Sequence, residues 1–183
     1  MTTLANRPAS ALLVIDVQNG VVETAFKRDE IVANIATMVT KARAAGIPVV
    51  WVQHSDEGLV RGSEAWGIVP ELVPAEGEAI IHKNYRSSFE STDLEDVLTE
   101  LAAGHLFVTG AQTNFCVRNT VHAAFERGYD VTVIGDAHTT SDESWNGYEL
   151  KADTIIDDFN IGFWDYQLPG RSVRMLKTAD ALA

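Results

Sequence analysis

The chain is 183 residues long, 46% hydrophobic and 22% charged, with 26 acidic against 14 basic residues and a formal net charge of −12. That length suits one domain burying about 70% of its unfolded surface. The charge balance argues against nucleic acid as a partner, since no Lys/Arg cluster tracks a phosphate backbone, and no apolar run approaches the roughly 18 residues of a membrane helix. Met1 to Ser10 is polar and lacks the apolar core of a secretory signal, so a cytoplasmic protein is expected. The single cysteine, Cys116, has no partner for an intrachain disulfide.

Ala11 to Ile15 is a continuous apolar run between Pro8 and Asp16, which predicts a strand buried on both faces. Asp29 is placed to cap a helix whose inward positions Ile31, Ile35, Met38, Val39 and Ala42 repeat every 3.6 residues until Gly46 and Pro48 stop it. Val49 to Val52 predicts the second strand, ending at Gln53 and His54. From Ser55 to Gly77 the chain is rich in Gly, Pro and Glu without a period; a loop of this length is usually functional, and Trp66 within it is placed to close over a pocket. Ala79 to Ile81 predicts a third strand, ending at Lys83. Thr92 and Glu95 have capping-box spacing ahead of a helix with Leu94, Val97, Leu98 and Leu101 on one face and Gly104 at its end.

Leu106 to Val108 leads through the turn Gly110 to Asn114 into a helix from Phe115 to Arg127, with Val117, Val121, Ala124 and Phe125 inward and Gly128 as its stop. Val131 to Ile134 is the fifth strand, ending at Asp136. A polar stretch, Thr139 to Asn146, precedes a helix over Leu150 to Phe159 with Ile155, Ile156 and Phe159 inward. An edge strand over Ser172 to Leu176 and a helical turn over Ala179 to Ala183 complete the chain.

This alternation predicts an α/β fold: three layers, a doubly wound, mostly parallel sheet with helices on both faces, in a single domain over residues 1–183. Ligands bind such sheets outside the carboxyl ends of the strands. Those ends carry Asp16, His54, Lys83, the Gly110 to Cys116 turn and Asp136, so an acid, a lysine and a thiol far apart in sequence share one edge. At a helix start, unpaired N–H groups and the positive end of the dipole bias Cys116 toward thiolate. Singly, each residue has a plainer reading: Cys116 as a small buried hydrophobe, Asp16 as a turn cap, Lys83 as a solvated lysine. His54 beside Asp56 lacks a spaced second and third metal ligand. His122 reads as an exposed helix-face residue, and Trp51 and Phe107 as core.

Together, Leu-Leu-Val-Ile-Asp-Val-Gln-Asn over 12–19, Lys83, Gly-Ala-Gln-Thr-Asn-Phe-Cys-Val over 110–117, Gly-Tyr-Asp-Val over 128–131 and Asp136-Ala137 resemble the isochorismatase-like cysteine hydrolases over nearly the whole chain. That superfamily includes nicotinamidases, N-carbamoylsarcosine amidases, biuret and ureidoacrylate hydrolases, and isochorismatases. The resemblance implies a catalytic triad of Asp16, Lys83 and Cys116 and a cis peptide between Ala111 and Gln112. It also implies an oxyanion hole made by the backbone N–H groups of Gln112 and Cys116. In the implied reaction Asp16 takes the thiol proton, Cys116 attacks a small amide, carbamoyl or ureido carbonyl, and Lys83 stabilises the negative charge that the two share; no cofactor is required. Substrate selection is expected in the loops around Gln18, Trp66, Phe89 and Phe115. Metal-dependent nicotinamidases carry an Asp-x-His pair and further histidines after the second strand, which Gln53-His54-Ser55-Asp56 does not reproduce, so no bound metal is expected. Retention of Cys116 favours C–N hydrolysis; the alternatives are isochorismatase-type vinyl ether hydrolysis, which works without the cysteine, and a non-catalytic binding or assembly member of the fold. Relatives self-associate, so a homo-oligomer, dimer or tetramer, is expected, with Trp145, Trp164 and Tyr166 available for contact.

Overall fold

The computed structural model describes residues 2–182. Its strands are β1 (Ala9–Ile15), β2 (Val49–His54), β3 (Ala79–Lys83), β4 (Ala103–Ala111), β5 (Asp130–Thr139), β6 (Glu143–Trp145), β7 (Tyr148–Leu150) and β8 (Val173–Leu176). Six of them form one sheet in the order β3-β2-β1-β4-β5-β8, every pairing parallel. Parallel strands need crossovers, and all but the loop from β2 to β3 carry a helix: α2 (Arg28–Ala44), α3 (Leu94–Glu100), α4 (Arg118–Arg127) and α5 (Ala152–Trp164), with a short α1 (Asn19–Val22) after the first strand.

Period-two alternation divides the apolar runs between two cores. Leu12 and Val14 face the layer of α2, joining Ile35, Met38 and Ala42. Ala11, Leu13 and Ile15 face α3, α4 and α5, joining Leu98, Val121, Phe125 and Phe159. The result is the three-layer, doubly wound sheet expected from sequence, covered on both faces.

The structure departs from the sequence-based elements mainly at their ends. Helix α2 starts one residue before Asp29, behind Lys27 in a left-handed conformation (φ 50), and Asp29 sits in the first turn, where its charge faces the positive end of the dipole. No capping box forms at α3: Thr92 Oγ1 donates to Ser88 O at 2.6 Å, while Glu95 is drawn off to accept from Arg7 at 2.8 Å and from the Tyr129 hydroxyl at 3.0 Å. Gly104 lies inside β4 rather than at a helix end, and a Cβ there would fall 2.2 Å from the Arg7 carbonyl oxygen, so it serves a close backbone approach. Gly128, with φ 104, does end α4.

Asp136 lies within β5 rather than at its end, and its Oδ1 accepts from the Thr178 backbone N–H at 2.7 Å and hydroxyl at 2.8 Å, tying down the segment after β8. The polar stretch after β5 forms the β6–β7 hairpin, turned by Asn146 (φ 50) and Gly147 (φ 80). Helix α5 accordingly starts at Ala152, two residues later than expected, and buries Ile155, Phe159 and Phe163. His122 is not free on the α4 surface; its ring packs 5.0 Å from that of Phe163. The expected terminal helix is instead a hydrogen-bonded turn in which Ala181 N–H donates to Lys177 O at 3.0 Å; Ala183 lies outside the described residues.

Candidate active site

Strands β1 and β4 are sheet neighbours whose crossovers run to opposite sides, which makes the gap beyond their carboxyl ends the topological switch point. Asp16, one residue past β1, has φ 49, a left-handed conformation that Asp adopts more readily than most residues. Opposite Ile15 in the ladder is Gly110, with φ 124, where a Cβ would lie 2.1 Å from the Ile15 carbonyl oxygen. Only glycine lets the two backbones meet this closely.

Beyond β4 the Ala111–Gln112 peptide is cis, and the chain enters a π-helical turn, Thr113–Val117, rather than starting an α-helix at Phe115. The Gln112 carbonyl accepts from the N–H groups of Phe115 (3.1 Å) and Val117 (3.2 Å). Beneath the turn, Thr113 Oγ1 donates to His138 Nδ1 at 2.9 Å and His138 Nε2 donates to Asn160 Oδ1 at 2.9 Å. Burial lowers the His138 pKa to about 4, keeping the imidazole neutral and able to accept from Thr113. These bonds fix the turn that presents Cys116.

Lys83, at the end of β3, reaches across β2 to meet Asp16 and Cys116. Its Nζ lies 2.6 Å from Asp16 Oδ2 and 3.1 Å from Cys116 Sγ, and it donates to His54 Nδ1 at 3.3 Å and to the Tyr85 carbonyl at 3.1 Å. Asp16 and Lys83 are each only 1% exposed. Neither Asp16 oxygen receives a well-directed hydrogen bond from a protein donor, so charge rather than hydrogen-bond geometry holds the pair. An ammonium has only donors, so His54 Nδ1 must accept, leaving its Nε2 proton for Asp56 Oδ2 at 3.1 Å. Asp56 in turn accepts from the N–H groups of Gly58 and Leu59, both at 2.8 Å; the Leu59 bond first, then His54, holds its carboxyl below the usual range.

Burial pushes the Asp16 carboxyl up, against the opposing pull of Lys83. The Cys116 thiol is pushed up to about 12, first by burial and then by the adjacent Asp16 charge, with Lys83 again opposing. That direction runs against the bias toward thiolate expected at a helix start. A five-residue π turn offers little dipole, and a dry site beside a carboxylate outweighs it.

Residues 10–154 match the Isochorismatase domain family. A curated relative, the secreted isochorismatase effector Isc1 of Verticillium dahliae, is 33% identical over 140 residues, covering 73% of this chain and 74% of its own. The chain belongs to the isochorismatase family. As a member it is a hydrolase. An isochorismatase from Pseudomonas putida KT2440 superposes with a TM-score of 0.85 at 29% identity, over 96% of this chain and 91% of that one. A cysteine hydrolase from Pseudomonas syringae shares the fold at a TM-score of 0.84 and 22% identity, over 100% and 93% of the two chains.

In this isochorismatase-family chain a cavity of about 520 Å³, within the range of small-molecule sites, opens over Asp16, Gln112 and Cys116. His54, Asp56, Arg86 and Phe115 also line it, with Val21 and Leu59 as apolar wall. Of the four residues expected to select substrate, only Phe115 borders this cavity. Gln18 is fully buried: its amide donates to the His54 carbonyl (3.0 Å) and the Trp66 carbonyl (2.7 Å) and accepts from the His54 N–H (2.8 Å), clasping the loop between β2 and β3 to the end of β1. Trp66 lays its ring 5.6 Å from that of His82, whose side chain alternates to the face away from Lys83. Phe89 is 7% exposed, in the core beside Tyr129 and Arg127, because the segment after Lys83 turns inward where Ser88 bonds Thr120 at 2.9 Å.

Three residues at the cavity were not singled out from sequence as functional. His54 was weighed only as a metal ligand, although its place opposite Lys83 in the β2–β3 register predicts the contact observed. Asp56 follows it by two residues. Arg86 follows Lys83 by three, and no periodic signal distinguishes it from a surface arginine.

Proposed function

We propose that this hydrolase cleaves the C–N bond of a small amide, carbamoyl or ureido compound through a thioester on Cys116. The observation that carries the reading is the meeting of a buried carboxylate, a buried ammonium and the lone thiol, with Lys83 Nζ 2.6 Å from Asp16 and 3.1 Å from Cys116, at the floor of the cavity. The raised Asp16 carboxyl is a stronger base than an exposed one, and Lys83 Nζ lies between it and the thiol. As the carbonyl carbon arrives, Asp16 accepts the Sγ proton and the thiolate attacks. The oxyanion is met by the N–H groups of Gln112 and Cys116. Collapse breaks the C–N bond, and the amine leaves with the proton held by Asp16. Water then gives a proton to Asp16 and attacks the thioester, releasing the acid and restoring the thiol. Lys83 remains an ammonium throughout and offsets the single negative charge that passes between Asp16 and Cys116. The pair titrates as one unit, and turnover needs one proton shared by the two groups.

The names of the relatives favour a second reading, vinyl ether hydrolysis, in which Asp16 transfers a proton and Cys116 is dispensable. Ammonia or amine release from a panel of primary amides and ureido acids, set against loss of isochorismate absorbance, separates them. C–N hydrolysis abolished by Cys116→Ala supports the thioester route; isochorismate turnover that survives Cys116→Ala replaces it with the ether reaction. The free thiol on which the mechanism depends is best preserved in a reducing compartment, which supports action in the cytoplasm. Exposed Trp145 (74%) and Trp164 (77%) support self-association.

A further inference from the structure

We propose that His54 is a positioning residue: in the tautomer that Asp56 imposes, its Nδ1 holds the Lys83 ammonium so that one N–H stays aimed at Cys116 Sγ. The proposal rests on Lys83 as the charge partner of Asp16 and Cys116, and not on which bond is cleaved. An ammonium has three N–H donors. Here they meet three well-directed acceptors: the Tyr85 carbonyl and Cys116 Sγ, each at 3.1 Å, and His54 Nδ1 at 3.3 Å. Asp16 attracts Nζ by charge and directs none of the three. Cys116 Sγ is the reacting atom, so the rotation of the ammonium about its Cε–Nζ bond is set by one backbone carbonyl and one side chain, His54.

His54 is itself held in place. It stands opposite Lys83 in the β2–β3 register, and the buried Gln18 amide grips its backbone, accepting from the N–H at 2.8 Å and donating to the carbonyl at 3.0 Å. Its side chain is 18% exposed, at the cavity wall. The other ring nitrogen fixes the tautomer: Nε2 lies 3.1 Å from Asp56 Oδ2, and a carboxylate can only accept. Asp56 is kept facing the ring because its Oδ1 takes the Gly58 and Leu59 N–H groups, both at 2.8 Å. Asp16, Cys116, Glu23 and Arg86 also face this space, but among the described residues only Lys83 and Asp56 hydrogen-bond the imidazole. Asp56→Asn therefore acts on the tautomer. The two backbone N–H groups keep the amide oxygen, so the NH2 group faces His54 Nε2, which then has to accept. The ring proton moves to Nδ1 and points at an ammonium. Lys83 is pushed off Sγ, although the substitution removes a negative charge, which taken alone would favour the thiolate.

The test needs no substrate, because Cys116 is the chain's single cysteine and takes any thiol label. Alkylation by iodoacetamide at about pH 8, followed by intact mass, reads the thiolate fraction. Asp56→Asn should slow it about ten-fold, the effect of raising the thiol by one pKa unit, and so should His54→Leu. His54→Asn, whose amide oxygen can replace Nδ1 but whose side chain falls short of Asp56, should stay within about three-fold of wild type. In that background Asp56→Asn should have no further effect. Glu57→Gln, which removes an exposed charge from the same turn, should not slow labelling. Circular dichroism melts establish that each variant is folded. An Asp56→Asn thiol that reacts as fast as wild type or faster, a His54→Asn thiol as slow as that of His54→Leu, or an Asp56→Asn effect that survives in the His54→Asn background overturns the proposal. If labelling follows the prediction while the wild-type enzyme hydrolyses no amide or ureido compound, the hold on Lys83 stands and the C–N hydrolase reading falls.

Discussion

Replacing Lys83 with methionine removes the ammonium that lies 2.6 Å from Asp16 and leaves a carboxyl group that is 1% exposed without its counter-charge. Breaking a buried ion pair by deleting one partner costs about 3–5 kcal/mol, a large share of the roughly 5–15 kcal/mol that stabilises a domain. The orphaned carboxyl has one escape, which is to take a proton. Burial already raises Asp16 in the intact protein, with Lys83 the main opposing influence, so in the variant its pKa rises further. The folded variant then holds a proton that the unfolded chain releases above about pH 3.9. Stability gained this way is complete below the unfolded pKa and is lost as pH rises through the folded one, at about 1.4 kcal/mol per pH unit for one proton. Urea denaturation followed by circular dichroism, for wild type and Lys83→Met side by side, reads the gap directly. The gap should be about 3–5 kcal/mol near pH 8 and should narrow in acid. The double variant Asp16→Asn/Lys83→Met, which has no charge to bury, should recover much of the loss and show no such pH dependence. A gap below about 1 kcal/mol, or one that does not narrow in acid, would refute the claim that these two groups form a buried pair.

His138, whose pKa is lowered to about 4, should make wild type less stable as pH falls from about 6.5 toward 4, because the unfolded imidazole binds a proton that the buried one refuses. The loss is roughly 3 kcal/mol for the full window, and it should vanish from the pH profile of His138→Gln relative to wild type; parallel profiles would place His138 in contact with water. Gly110→Ala forces a Cβ to within 2.1 Å of the Ile15 carbonyl oxygen at φ 124, and should cost more than about 2 kcal/mol, lowering Tm by about 4–8 °C. An unchanged Tm would mean that β1 and β4 do not approach so closely.

The apolar runs at 11–15, 49–52, 106–108 and 131–134 marked four strands because burial on both faces favours apolar residues, the run at 79–81 marked the edge strand β3 although Ile80 is exposed, and the 3.6-residue period marked the long helices. The same patterns placed Asp16, Lys83 and Cys116 at strand ends. Strand order was not legible, since it depends on which crossovers pack together, and it is the order β3-β2-β1-β4 that brings Lys83 over β2 to Asp16. The lining of the pocket was not legible for a related reason. Gln18, Trp66 and Phe89 lie in segments without a period, and whether each side chain turns toward the cavity or the core is decided by contacts between distant residues, such as Gln18 with His54 and Ser88 with Thr120. The β6–β7 hairpin is a different case. Asn146-Gly147 is a strong local hairpin signal that the polar stretch around it obscured.

The central claim is that Cys116 becomes covalently acylated during turnover. Mixing the enzyme with the best substrate of the amide and ureido panel, quenching in acid within the first turnovers and weighing the intact protein tests it most directly. The account predicts a mass increase equal to the acyl group, mapped to the peptide that carries Cys116 and absent from Cys116→Ala, which should also be inactive. Undiminished turnover by Cys116→Ala, with no adduct on the wild-type thiol, would contradict it.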